Sequence, residues 1–488
     1  MNESRKYVRD IAVTGAGTAA VRLRQLILLP VLARMLGAAD YGAWTQLVAA
    51  VGLLAAISGA LGNASTRFVA DKREGTSEAG RVVSGTAVPA LLLSLVLAAV
   101  LFGFSDRLAE SVLKLPSFSS LVRLAALAAV GTTGSGVAKA LFRGRSRFGI
   151  YNLLTILSEY GELLLVVLAV ALGHGLPGAV VAMLAARSAS AVVSLLVASG
   201  KIGVARPRLE EVRAFLAYSL PLMPQQVLLW VIHLSDRYII GYHWGSTSVG
   251  EYSAAYSISA VVTLVAAPIL VVVFPMLSRL WDSGDKEGAG RYTERTFKYL
   301  LLMAVPLALG LSAVSREVLR LVAGDAFAAA GAFVPFVVVG LLFHRLQGLY
   351  SYVLMAAKRT RAVMWVHTLT AVFNIGANLV LIPRVGPMAA AYVTLATYVL
   401  GAALVWGLAR GSLASRLAPG LLVKVVAISC GLALGVRAFS PSGWIELVVT
   451  GAAAAAAYAG LIVVLRVVTV DELRALVSMM RPGRGDEA

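Results

Sequence analysis

Charge is kept out of most of this chain in a regular way. Fourteen stretches of mostly apolar residues lie at about 11–36, 41–62, 82–104, 118–138, 150–172, 178–199, 215–242, 250–277, 296–314, 331–356, 362–382, 387–409, 419–439 and 444–466. A helix of about 20 apolar residues crosses a bilayer core. In hydrocarbon every backbone N–H and C=O must be satisfied within the segment, so a chain patterned this way folds as a bundle of spanning helices. At 59% hydrophobic it exceeds the 45–50% usual for soluble domains. The loops are short, the longest being 200–214 and 278–295, and none can house a soluble domain. MNESRKYVRD runs into the first span without the pattern of a cleavable signal peptide.

The net charge of +18 would suggest nucleic acid in a soluble protein, but its placement gives another reading. With the N-terminus inside, 30 of the 43 lysines and arginines fall in cytoplasmic segments. Seven fall outside and six within spans. Positive charge is retained on the cytoplasmic side of membrane proteins. The bias therefore predicts fourteen spans with both termini in the cytoplasm of a cell whose plasma membrane holds the protein. Basic loops such as KALFRGRSR (139–147) read as part of this topology signal. The tail 470–481 has the pattern of a short amphipathic helix at the inner surface.

LGAADYGAW (36–44) and WGSTSVGEY (244–252) repeat one turn pattern. Gly37 matches Gly245, Gly42 matches Gly250 and Trp44 matches Tyr252, all offset by 208 positions. FRGRSRF and AKRTRA, and LPGAVVA and GPMAAAY, echo each other more faintly in the same order. The matched spans differ by six, an even number, so both copies cross in the same direction. The predicted fold is an all-α polytopic membrane protein: two six-helix lobes in a parallel pseudo-two-fold repeat, plus two extra C-terminal helices. Its parts are an N-lobe (1–199), a cytoplasmic linker (200–214), a C-lobe (215–409), the appendix (410–466) and a cytoplasmic tail (467–488).

LGAADYGAWTQLVAAVGLLAAISGALGNASTRFVA (36–70), LSDRYIIGYHWGSTSVGEYSAAYSI (234–258) and FNIGANLVLIPRVGPMAAAYVTLATY (373–398) resemble the polysaccharide, O-antigen type, flippases. These belong to the superfamily of multidrug, oligosaccharidyl-lipid and polysaccharide exporters. The resemblance extends over essentially the whole chain. It implies two lobes around a central cavity and transfer of a polyprenyl-pyrophosphate-linked oligosaccharide from the inner to the outer leaflet. Lipid II flippases and multidrug or small-solute exporters of the same superfamily are the alternatives, and the fourteen spans count against the drug branch. The partners expected are the lipid-linked substrate and membrane lipids, not nucleic acid. The protein is expected to be monomeric and to work near glycan polymerases and glycosyltransferases.

No hydrolytic triad, metal-spacing cluster or P-loop is present in the sequence, so no catalytic or metal-binding residue is expected. GTTGSG (131–136) reads as small-residue helix packing. Without a nucleotide site the expected energy source is an H⁺ or Na⁺ gradient, or the substrate's own. Ionisable residues inside spans are costly and mark function. Arg22, Arg24, Arg187 and Arg345 lie near mid-span, with Arg237 further out. Guanidinium forks match phosphate oxygens, so these five are the expected pyrophosphate ligands. Glu159, Glu162 and Asp236 are the expected coupling-ion residues. Neighbours one apart do not face each other on a helix, so Asp236 and Arg237 are not expected to pair.

Overall fold

The computed structural model describes residues 3–70, 72, 76–112, 116–411 and 419–468; the helix expected at 470–481 lies outside them. The backbone is helical throughout, with no strand among the described residues. In the first half, the helices are α1 (Glu3–Phe68), α2 (Ser77–Gly103), α3 (Ser105–Arg107), α4 (Ser119–Gly144), α5 (Phe148–Ala171), α6 (Gly175–Ile202) and α7 (Leu209–Ser219). The second half holds α8 (Met223–Ser259), α9 (Val261–Asp282), α10 (Lys286–Ala313), α11 (Ser315–Ala323), α12 (Val334–Ala356), α13 (Thr360–Val385) and α14 (Met388–Arg410). Last come α15 (Pro419–Phe439) and α16 (Trp444–Val464).

Among the described residues, twelve helical stretches are long and apolar enough to cross a membrane. Two of them, Ile27–Phe68 and Leu209–Ala266, are too long for one crossing. Each contains a glycine with left-handed backbone, Gly37 at φ 77°, ψ 174° and Gly245 at φ 79°, ψ 172°. An L side chain rarely adopts that conformation. The sequence count of fourteen divides the chain at these two turns. Exposed leucines such as Leu164 and Leu196 form the outer, lipid-facing surface, and α16 buries no residue at all.

The near-identity of the two turns, 208 positions apart, is the repeat in three dimensions. α1 packs on α4, α5 and α2, with α6 against α4 and α5; α12, α13 and α14 form the matching group with α8, α9 and α10. α1 and α8 meet across the seam between the two groups. There the turns touch backbone to backbone. A Cβ on Gly42 would collide with the Ser246 carbonyl, and one on Gly250 with the Ala38 carbonyl. Thr45 and Ser253, also 208 apart, bring their hydroxyls within 3.1 Å of each other. Residues equivalent by the repeat touch only near the pseudo-two-fold axis, so this contact marks it. Arg34 adds hydrogen bonds to the carbonyls of Val322 (3.0 Å) and Leu321 at the end of α11.

The linker helix α7 is docked on the first lobe. Phe215 stacks edge-on against Phe68 at 4.8 Å, and Arg67 lies over Tyr218 at 4.7 Å. Arg81 on α2 pairs with Glu211 at 2.8 Å, and the Arg208 backbone N–H donates to the same carboxylate at 3.1 Å. Partial burial pushes the Glu211 carboxyl up, but the Arg208 and Arg81 contacts outweigh it and hold it below its ordinary value of 4.5. This contribution to docking is complete above pH 4.5 and is lost as pH falls below it.

Two tests address these contacts. In a Cys430→Ser background, Thr45→Cys/Ser253→Cys is expected to close a disulfide under mild oxidation, read as a gel shift after proteolysis of the linker. Gly250→Val crowds a well-packed contact, at a cost of about 1–3 kcal/mol, and is expected to slow closure by about tenfold or more. A spin label at Ala214 is expected to gain mobility only below pH 4.5, and Arg81→Gln should move that onset upward.

Candidate substrate site in the first lobe

Four helices of the first lobe deliver polar side chains to one cavity of about 200 Å³. α1 gives Arg24, α4 gives Thr132, Ser135, Gly136 and Lys139, α5 gives Ser158, Glu159 and Glu162, and α6 gives Arg187 and Ser190. The α4 residues fall at i, i+3, i+4 and i+7, one stripe of a helix. Glu159 and Glu162 are three apart, as are Arg187 and Ser190, so each pair shares a face. Gly131 lets the α4 backbone approach α6 closely, because a Cβ there would lie 2.7 Å from the Arg187 carbonyl carbon. GTTGSG is thus a packing motif, as expected, and its Thr132, Ser135 and Gly136 also form cavity wall.

Glu162 is the hub. Its Oε1 accepts from Arg24 Nη2 at 2.9 Å and from Arg187 Nη2 at 3.2 Å, and its Oε2 from Arg187 Nε at 3.0 Å. Arg24 Nη1 also donates to Glu159 Oε2 at 2.6 Å. Arg187 Nη1 reaches Thr132 Oγ1 at 3.2 Å. Glu162 is 6% exposed, and the Arg24 side chain 12%. Two arginines and two glutamates cancel. Lys139, donating to Ser158 Oγ at 3.3 Å, leaves the cavity one charge positive. Arg24 Nε is buried with no hydrogen-bond partner, an unused donor at the cavity edge. Such a donor favours an anion that brings its own acceptors. A second cleft of about 280 Å³ shares Ser158, Glu162 and Ser190, and reaches the lipid face past Leu157 and Val193.

The sequence-predicted residues divide. Arg24, Arg187, Glu159 and Glu162 come together. The side chain of Arg22 lies outside the described residues. Arg237 and Asp236 belong to another cluster, in the second lobe, and the expectation that they do not pair is corrected. Arg237 folds back along its own helix, so Nη1 reaches the His233 carbonyl at 2.8 Å and Asp236 Oδ1 at 3.3 Å. Tyr252 donates to Asp236 Oδ2 at 2.7 Å. Arg237 is 6% exposed beneath Tyr252 and Tyr256, so it is no outer guard. Arg345 stands within electrostatic range of this second cluster. Lys139 was missed, because counting placed it in a basic loop; its place in the stripe from Thr132 was the signal. Asn374 donates to Thr397 at 3.0 Å, joining α13 to α14, and Asn378 one turn on donates to Asn374 at 3.2 Å within α13.

Elsewhere, α10, α12, α14 and α15 enclose a cavity of about 540 Å³ walled almost wholly by apolar side chains, among them Phe297, Leu346 and Trp406. A charged cavity in one lobe and an oily one in the other suit a ligand with two unlike ends.

The fold is that of a two-lobed helical membrane protein with a charged cavity inside its first lobe. The lipid II flippase MurJ, in an inward closed conformation, superposes with TM-score 0.79 at 14% identity, covering 96% of this chain and 100% of MurJ. An inward-facing multidrug resistance MATE family transporter of the MOP superfamily gives TM-score 0.59 at 16% identity, over 80% of this chain and 97% of that one. Residues 7–281 match the family described as polysaccharide biosynthesis protein, and the chain belongs to it. Residues 221–380 also match MatE. The succinoglycan biosynthesis transport protein ExoT of Rhizobium meliloti is 26% identical over 63% of this chain and 60% of its own. The probable flippase AglR of Haloferax volcanii is 30% identical over 35% and 36%. Both matches span less than two thirds of the relative's length.

Removing one member of a buried ion pair costs about 3–5 kcal/mol, more than replacing both with apolar residues. Glu162→Ala is therefore expected to lower the Tm in detergent further than the double change Glu162→Leu/Arg187→Leu.

Proposed function

We propose that this protein carries a polyprenyl-pyrophosphate-linked oligosaccharide from the inner to the outer leaflet of the plasma membrane. The cationic cavity of the first lobe carries the reading. A pyrophosphate crossing hydrocarbon needs fixed positive charge near the midplane, and Arg24, Arg187 and Lys139 supply it on rigid helices. The oily cavity beside α15 suits an isoprenoid chain. In this reading the pyrophosphate takes the arginines, Glu159 and Glu162 are released, and a coupling H⁺ or Na⁺ neutralises them. The lobes then rock against each other across the seam where Thr45 meets Ser253. Such a switch requires that the substrate bind the two access states unequally. The topology has fourteen spans, with both termini cytoplasmic and the turns at Gly37 and Gly245 external. Arg22, on the same helix as Arg24, is a further candidate for the pyrophosphate, and the protein works as a monomer near the glycan polymerase and glycosyltransferases.

The test uses purified protein in liposomes holding a fluorescent polyprenyl-pyrophosphate glycolipid, a neutral polyprenyl glycolipid or a cationic drug. Transfer of the pyrophosphate lipid alone is expected. Arg22→Gln, Arg24→Gln, Arg187→Gln and Lys139→Gln are made singly. Loss of one charge-assisted contact, about 1.5–3 kcal/mol, predicts roughly a tenfold or greater fall for Arg24→Gln and Arg187→Gln. Arg→Lys is expected to rescue only in part, because the fork geometry is lost. Wild-type transfer by all four variants, or drug uptake without lipid transfer, would overturn the reading. For topology, Thr247→Cys in the Cys430→Ser background is expected to react with an impermeant maleimide in intact cells; the neighbouring Ser246 is buried.

A further inference from the structure

A second set of ionisable side chains, half-buried to buried, lies behind the seam in the other lobe, and the cationic cavity makes no use of it. His233 Nδ1 and the Tyr398 hydroxyl are 2.7 Å apart, and that hydroxyl is 3.2 Å from the hydroxyl of Tyr256. His344 stands edge-on to His233, with ring centroids 5.0 Å apart, and lies 4.7 Å from the Tyr398 ring. Its Nδ1 is buried without a hydrogen-bond partner, and the Gln347 side chain engages the ring. Glu159 and Glu162, by contrast, are already held by arginines.

This cluster is joined to the seam through one turn of α8. Arg237 donates to the His233 carbonyl, and its own carbonyl accepts from Gln46 Nε2 at 3.1 Å. The Tyr238 hydroxyl donates to the Gln46 carbonyl at 2.7 Å, and Trp230 Nε1 to the Ala49 carbonyl at 2.8 Å. Gln46 and Ala49 lie on α1, in the first lobe. These bonds hold the lobes together next to the Gly42–Gly250 contact.

We propose that His233 and His344 form a proton-binding site that parts the seam between the lobes when it is occupied. The argument is one of charge in a closed space. From α8, Arg237 and Tyr256 face the pair, with Asp236 beside Arg237. Arg345 comes from α12, His367 from α13 and Tyr398 from α14, while Tyr41 and Gln46 of α1 approach Arg237. Asp236 is the one carboxylate in this set, and Arg237 and Tyr252 already engage it. A proton on either ring adds a positive charge to a half-buried pocket that holds two arginines, where charges are screened less than in bulk water. Parting the seam admits water and relieves the repulsion. Protonation therefore favours the parted state: the closed seam prevails above the pH range in which histidine titrates and loses population as pH falls through it. The proposal rests on the rocking-lobe reading, but its test needs no substrate.

Spin labels at Ala39→Cys and Thr247→Cys, exposed sites equivalent by the 208-residue repeat, report the width of the seam in the Cys430→Ser protein in lipid nanodiscs. Double electron–electron resonance is recorded at several values between pH about 5 and about 8, the range in which histidine changes charge. The expected result is one short distance at the alkaline end and a growing long-distance population on acidification. His233→Gln/His344→Gln is expected to keep the short distance throughout, and Tyr398→Phe to move the midpoint. Arg24→Gln/Arg187→Gln should keep the pH response while losing glycolipid transfer, which separates failure of this proposal from failure of the substrate-site reading. An unchanged distance across the range in the otherwise native protein, or an undiminished pH response in the double histidine variant, would overturn it. The first of these outcomes does not depend on how well the variants fold.

Discussion

The two halves of the molecule meet where two glycines allow backbone to touch backbone. Gly42 lies against the Ser246 carbonyl and Gly250 against the Ala38 carbonyl, and neither position has room for a Cβ. Small residues let membrane helices approach this closely, because packing rather than hydrophobicity must hold helices together in lipid. Everything near the seam takes its register from this contact. Thr45 faces Ser253, Gln46 reaches the Arg237 backbone, and Trp230 reaches Ala49. The main apolar core runs from Leu29 and Leu32 in one lobe to Val334 and Val405 in the other. A separate core around Phe142, Ile202 and Phe215 belongs to the first lobe and α7 alone. The lobes thus share packing at the turn end and keep separate packing around α7.

The charged cavity follows a different rule. A buried arginine persists only where something meets its donors. Glu162 meets both Arg24 and Arg187, so the cavity holds these two cations without leaving them uncompensated. An anion that offers more oxygens than one carboxylate can compete for the same forks. The ion pairs thus hold the site in shape and leave it exchangeable. In the second lobe Arg237 is already satisfied by Asp236, a backbone carbonyl and two aromatic faces.

Much of the site was legible from residue type alone. Arg24, Glu159, Glu162 and Arg187 stand out because charge is rare in apolar spans, and the structure brings all four together. Lys139 did not stand out, because it sits near the C-terminal end of α4 among loop arginines, where a lysine reads as a topology signal. The Asp236–Arg237 pair was read wrongly for a geometric reason. Adjacent Cβ atoms point away from each other, but an arginine is long enough to fold back a full turn, and its guanidinium rather than its Cβ sets the contact. The partnership of His233 with Tyr398 joins residues 165 positions apart, a separation that no local spacing rule can see.

The sequence by itself determined the class of the molecule. Apolar stretches of bilayer length force helices, because hydrocarbon offers backbone groups no other partner. Glycines at matching places force matching turns, because only glycine takes up the left-handed backbone at Gly37 and Gly245 without strain. These are local constraints, and local chemistry is what a sequence displays. Tertiary structure decided which charges meet, which face of each helix lines a cavity and which hydroxyls and rings form a chain. Those outcomes depend on helix rotation and on contacts between segments far apart in the chain, and packing across the whole bundle sets them.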